Sequence, residues 1–210
     1  LRVDKQSVDV WQIGAEGGFL RAPVKVRDIL IAPAERADII VDFSLVPLGA
    51  NVTLRNHGPD SPFSGLGFRP ADPPTTGQVM QFRVNQSLPS GFVDPSTPPQ
   101  DLVLPPAPSL TATGTRALAL LELAADPPEP DIPIEARLGT FDPTIGAPDG
   151  ITFLRWADPE TENPDPGDVE LWELYNFTED AHPIHIHEVL FEVVNRQRLD
   201  RNTGQPIQTA

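Results

Sequence analysis

The chain has 210 residues, a net charge of −15, 26 prolines, 15 glycines and no cysteine. Its length allows one large domain or two small ones, and the lack of cysteine excludes disulfides, zinc ribbons, iron–sulfur clusters and thiol catalysis by these residues. The acidic balance argues against nucleic acid and anionic membranes as partners, and no run approaches the roughly 18 apolar residues of a membrane-spanning helix.

Abundant proline and glycine with only 21% charged residues predicts an all-β chain of short strands and turns. Val8–Gly14 alternates apolar and polar residues and runs into a turn at Glu16-Gly17-Gly18, so it reads as a strand entering a loop. Val24–Ile31 is the next predicted strand. Ala32–Asp38 turns the chain into Ile39–Phe43, whose β-branched content favours burial. Asn51–Arg55 follows, then a long Gly- and Pro-rich loop reaching Gly77, and Val79–Val84 closes this part with clean alternation. Met80 falls inside that strand and is expected in the core. Five short strands with turn chemistry between them predict a β-sandwich or barrel over residues 1–85.

The pattern breaks over residues 86–115, where seven prolines lie between Pro89 and Pro108. This stretch is expected to connect domains. A second β-rich unit is predicted for residues 116–210. It begins with Arg116–Leu123, passes another proline-rich loop, and continues with Ile151–Trp156 and the alternating run Asp168–Phe177. Thr178-Glu179-Asp180 would then turn the chain into a final, histidine-bearing strand, the two forming a hairpin. The first residue is not a methionine and no strongly patterned element closes the far end, so the chain reads as a fragment, incomplete at both ends.

Three of the four histidines, His182, His185 and His187, sit within six positions. Crowded imidazoles without a metal would be left unpaired and would repel one another on protonation, so the cluster points to a metal site. On an extended backbone His185 and His187 share one face, with Cα atoms roughly 6.5 Å apart, while His182 points the other way. One stretch would thus serve two sites. That divergence argues against a mononuclear zinc hydrolase, which needs three converging ligands, and imidazole alone does not separate copper from zinc. Residues 157–194 hold 11 acidic residues and no lysine or arginine, which favours cations locally, although most are expected to form a solvated face. His57, in a turn-rich loop, is expected to be exposed.

His182-Pro-Ile-His-Ile-His187, with Trp172–Ala181 before it and Val189–Gln197 after it, resembles the third cupredoxin domain of multicopper oxidases. The likeness is to the bacterial laccase group that includes spore-coat laccases and bilirubin oxidases. Ala32–Ser44 and Gly77–Val84 resemble that group's second domain. The resemblance implies cupredoxin-like Greek-key domains: the C-terminal part of the second over 1–85 and the N-terminal part of the third over 116–210. It implies copper as cofactor, with His182 on the type 1 ion, His185 on type 2 and His187 on the type 3 pair. It further implies one-electron oxidation of phenolic, amine or metal-ion donors, reduction of dioxygen to water, and partnership with the remaining domains of the same protein. Nucleic acid and membrane are not expected as partners, and an extracellular, periplasmic or spore-coat location is suggested by the resemblance alone.

Two features depart from the family pattern. A His-Cys-His segment and two further His-x-His pairs, which complete the copper set in the family, do not occur in these residues, so the isolated chain is expected to be inactive. Glu188 stands where the family generally has an apolar residue. A non-catalytic copper-binding cupredoxin module and an inactive truncation are the alternative readings.

Overall fold

A computed structural model describes residues 2–3, 8–16, 18–63, 65, 67–106, 108, 110–124 and 133–207. Among them every regular element is a β-strand except one 3₁₀ turn at Pro99–Asp101. The strands are β1 (Arg2–Val3), β2 (Asp9–Ala15), β3 (Gly18–Val26), β4 (Asp38–Asp42), β5 (Asn51–Arg55), β6 (Gln78–Arg83), β7 (Gly114–Ala124), β8 (Pro133–Phe141), β9 (Ile151–Phe153) and β10 (Glu170–Asn176). The protein is all-β, as expected of cupredoxin-like chains. Two compact units emerge: Leu1–Pro108 with Asp180–Glu192, and Ser109–Glu179 with Val193–Ala210. No helix among the described residues is long and apolar enough to cross a membrane.

The first unit contains two three-stranded sheets, ordered β3-β2-β4 and β1-β5-β6. Strand β2 is central in its sheet, antiparallel to both neighbours. Strand β3 begins at Gly18, six residues ahead of the predicted Val24, and accommodates Pro23 because it is an edge strand whose outer side needs no ladder donor. In the other sheet Val52 of β5 is 1% exposed and lies opposite Phe82 of β6, whose ring meets Phe43 at 5.1 Å between centroids. Met80 corrects an expectation. It shares the face of Phe82 by the two-residue period of a strand, yet it is 53% exposed, so it belongs to the surface and not to the core.

The second unit is one sheet in the order β10-β7-β8-β9, with β7 parallel to β10 and antiparallel to β8. Between two partners, β7 reads as a nearly continuous apolar run, Ala117–Leu121, as a strand covered on both faces should. Strand β8 lies in what the sequence presents as proline-rich loop. Ile134, Ala136 and Leu138 alternate with Glu135 and Arg137 along it, but that apolar set is the exposed one, with Ile134 66% and Leu138 63% exposed, and only Gly139 and Phe141 at the far end are buried. Gly139 is needed there: a Cβ would run into the backbone oxygen of Thr152 and come within 2.9 Å of Leu121 Cδ1.

Ala119, Leu121 and Phe141 form the core of this unit, covered by Ile151, Tyr175 and Phe177. The Phe141 ring stands 4.6 Å from that of Tyr175 and 5.2 Å from that of Phe177, tilted and edge-on, the arrangement aromatic quadrupoles prefer. An ion pair ties β7 to β10. Arg116 donates from Nε to Glu170 Oε2 at 3.0 Å and from Nη2 to Oε1 at 2.7 Å, while Trp172 Nε1 donates to the same carboxylate at 2.6 Å. Arg116 first, and Trp172 after it, hold the Glu170 carboxyl below its ordinary value.

Truncating Phe141 to Ala removes the ring that two aromatics share and should cost about 3–5 kcal/mol in urea denaturation, with Phe141→Leu costing less. The pH dependence of the Arg116–Glu170 pair follows from the lowered folded value of Glu170. Its stabilisation is complete above the unfolded carboxyl value, about 4.3, and is lost as pH falls through the folded value. The stability difference between the native protein and Glu170→Gln should therefore narrow on acidification, measured by urea midpoints from neutral pH down to about pH 3.

Candidate metal centre

The histidine stretch is not the second arm of a hairpin. Phe177 N still donates to Leu120 O, but the Asn176 side chain then accepts from Thr178 N at 3.0 Å and Thr178 Oγ1 at 2.8 Å, closing a turn that ends β10. Pro183 has no backbone N–H to offer a ladder. Residues 181–186 accordingly carry no strand pairing, and they are held instead by contacts within the first unit. Ala181 N donates to Phe63 O at 2.7 Å, Leu190 Cδ2 lies beside Gly18, and Glu192 pairs with Arg21 at 3.2 Å.

His185 and His187 come together as expected for neighbours two apart. Their ring centroids are 4.8 Å apart with planes inclined at 75°. His182 is half-buried, and no three His, Cys, Asp or Glu side chains converge as a metal-holding group among the described residues. His57 is exposed. The donor chemistry of the His185–His187 pair fits copper, for which imidazole nitrogen is a favoured ligand, but the pair supplies two ligands and not a complete coordination shell.

Two residues at this site carry no sequence signal of their role. Glu16 stands between β2 and β3, and its Oε2 lies 2.8 Å from His185 Nδ1. Arg36 donates from its backbone N to Glu16 Oε1 and from Nη2 to Oε2 at 3.1 Å. Arg36 first, and His185 after it, lower the Glu16 carboxyl to about 2, so it is ionised throughout the neutral range. The loop that presents Arg36 is closed on itself: Glu35 N donates to Ala32 O at 3.1 Å, and Ala32 N donates to Glu35 Oε2 at 2.8 Å. Glu16-Gly17-Gly18 reads only as a turn, and the separation of 169 residues between Glu16 and His185 leaves nothing local to detect.

A sequence profile described as Multicopper oxidase matches residues 127–209. Laccases from Bacillus stratosphericus and Bacillus subtilis (strain 168) are 35% and 34% identical to the chain, covering 95% and 91% of it. The bilirubin oxidase of Albifimbria verrucaria is 30% identical over 88%. The chain belongs to the multicopper oxidase family. It spans about a third of the length of these relatives, 35%, 32% and 28% respectively. Copper is the metal this family implies, in agreement with the imidazole pair.

Glu188, directly after the last histidine, has φ of +65°. A left-handed backbone costs a side-chain-bearing residue roughly 1–2 kcal/mol, and the site carries that strain where the chain must turn away from His187. Glu188→Gly should leave stability unchanged or raise it by up to about 1 kcal/mol, whereas the β-branched Glu188→Val should lower it by about 1–2 kcal/mol. Urea denaturation of both variants measures the two signs.

Proposed function

We propose that the full-length protein is a laccase-like oxidase that withdraws single electrons from phenolic, amine or metal-ion donors and reduces dioxygen to water. The observation that carries this reading is the His182-Pro-Ile-His-Ile-His187 sequence with the rings of its last two histidines 4.8 Å apart between centroids. His182 would hold the type 1 copper, where the donor delivers electrons. His185 would hold the type 2 copper and His187 one of the type 3 pair. The coppers supply the redox chemistry; the residues of this chain supply neutral imidazoles in fixed orientations, because ligand identity and the bonds behind each ligand tune a metal's potential.

On this reading residues 1–85 are part of the second cupredoxin domain, 116–210 part of the third, and 86–115 the connector. The histidine stretch is the portion of the third domain held within the first compact unit. These 210 residues contain no cysteine, so the thiolate of a type 1 centre would come from elsewhere in the protein, as would the remaining imidazoles.

His182→Ala in the full-length protein should abolish the blue absorbance of type 1 copper while leaving the other coppers bound, read by visible absorbance and metal analysis. Loss of all copper together would contradict the division of the histidines between two sites. Copper binding by the unaltered protein without dioxygen consumption would favour a non-catalytic cupredoxin module.

A further inference from the structure

We infer that Glu16, clamped by Arg36, is the positioning residue that fixes the tautomer and orientation of the His185 ring, leaving Nε2 as the nitrogen available to copper. The inference rests on the assignment of His185 as a type 2 copper ligand.

The argument begins with a strand register. Strands β2 and β4 are antiparallel with Gly14 opposite Asp38. The ladder ends at that pair, and just past it Glu16, in the turn after β2, meets Arg36, ahead of β4, through the bonds to its carboxylate. Gly14 permits the close approach, since a Cβ there would lie 2.7 Å from Asp38 Oδ2. The Arg36 backbone N bonds one carboxylate oxygen and its guanidinium the other, which leaves the carboxylate little freedom to rotate.

The remaining bond sets the histidine. A carboxylate can only accept, so the nitrogen facing Glu16 Oε2 at 2.8 Å must carry the proton, and a neutral ring then keeps its lone pair on Nε2. Both partners are sheltered, with side chains 11% exposed for Glu16 and 22% for His185, so water competes weakly for either. His187 lies across the ring at 4.8 Å and limits its tilt. A carboxylate behind a ligating imidazole both orients the ring and strengthens it as a donor, and loss of such a partner typically lowers metal affinity by about 10–100-fold.

Glu16→Ala in the full-length, copper-loaded protein tests the role. Type 2 copper affinity, measured by chelator competition, is expected to fall by about 10–100-fold, with a changed type 2 electron paramagnetic resonance spectrum and unaltered blue absorbance. Glu16→Gln keeps the side-chain volume and an oxygen facing Nδ1, so a smaller loss of about tenfold or less is expected; it carries the test should the alanine variant fail to fold. Type 2 affinity and spectrum identical to those of the unaltered protein in both variants would overturn the inference. So would equal loss of type 1 absorbance, which would mark Glu16 as a residue of general stability. An unaltered protein that binds no type 2 copper would overturn the oxidase reading itself, and this inference with it.

Discussion

The registration of β2 against β4 is the constraint on which the candidate centre depends. Gly14 opposite Asp38 is the last pair of the ladder, just short of the contact between Glu16 and Arg36, and a carboxylate held from one side offers its remaining lone pairs to His185 from a fixed place. Nothing in the histidine stretch itself could do this. Its backbone makes no ladder, Pro183 removes a donor, and Glu188 turns through a conformation that side chains resist. A segment with so little internal bonding takes its geometry from what it touches.

Its contacts are spread along its length, which is why the segment can be ordered without being a strand. Ala181 is anchored through its backbone to Phe63, His185 through its ring to Glu16, and Glu192 through an ion pair to Arg21. The last of these is solvent-exposed and contributes little, whereas the Glu16 bond is sheltered and bears on the proposed ligand His185. The second unit shows the opposite economy: an aromatic trio around Phe141 and a bidentate ion pair across β7 and β10 stabilise a regular sheet.

Much of the fold is legible in the sequence because period-two alternation is a local signal. Val8–Gly14, Asn51–Arg55 and Asp168–Phe177 announce β2, β5 and β10 within a few residues. Strand β8 escapes although Ile134, Ala136 and Leu138 alternate with Glu135 and Arg137, because prolines crowd the sequence ahead of it and its apolar set is the exposed one. Met80 shows the converse limit: alternation tells which face a residue takes, but not whether anything covers it. The histidines were legible by count and spacing. Their lack of strand structure was not, since it depends on a turn at Asn176 and on distant contacts, and Glu16 and Arg36 were invisible as site residues for the same reason.

A metal ligand must be rigid, neutral and correctly protonated, and those requirements need not be met by the element that carries it. Here the histidine stretch carries the imidazoles, and a hairpin tip more than 160 residues away supplies the partner that sets one of them. The arrangement joins ligand geometry to strand pairing. Any change that slips β2 against β4 by one place shifts Glu16, one residue past the end of β2, relative to Arg36, and with it the restraint on His185 is lost, although neither histidine has been touched.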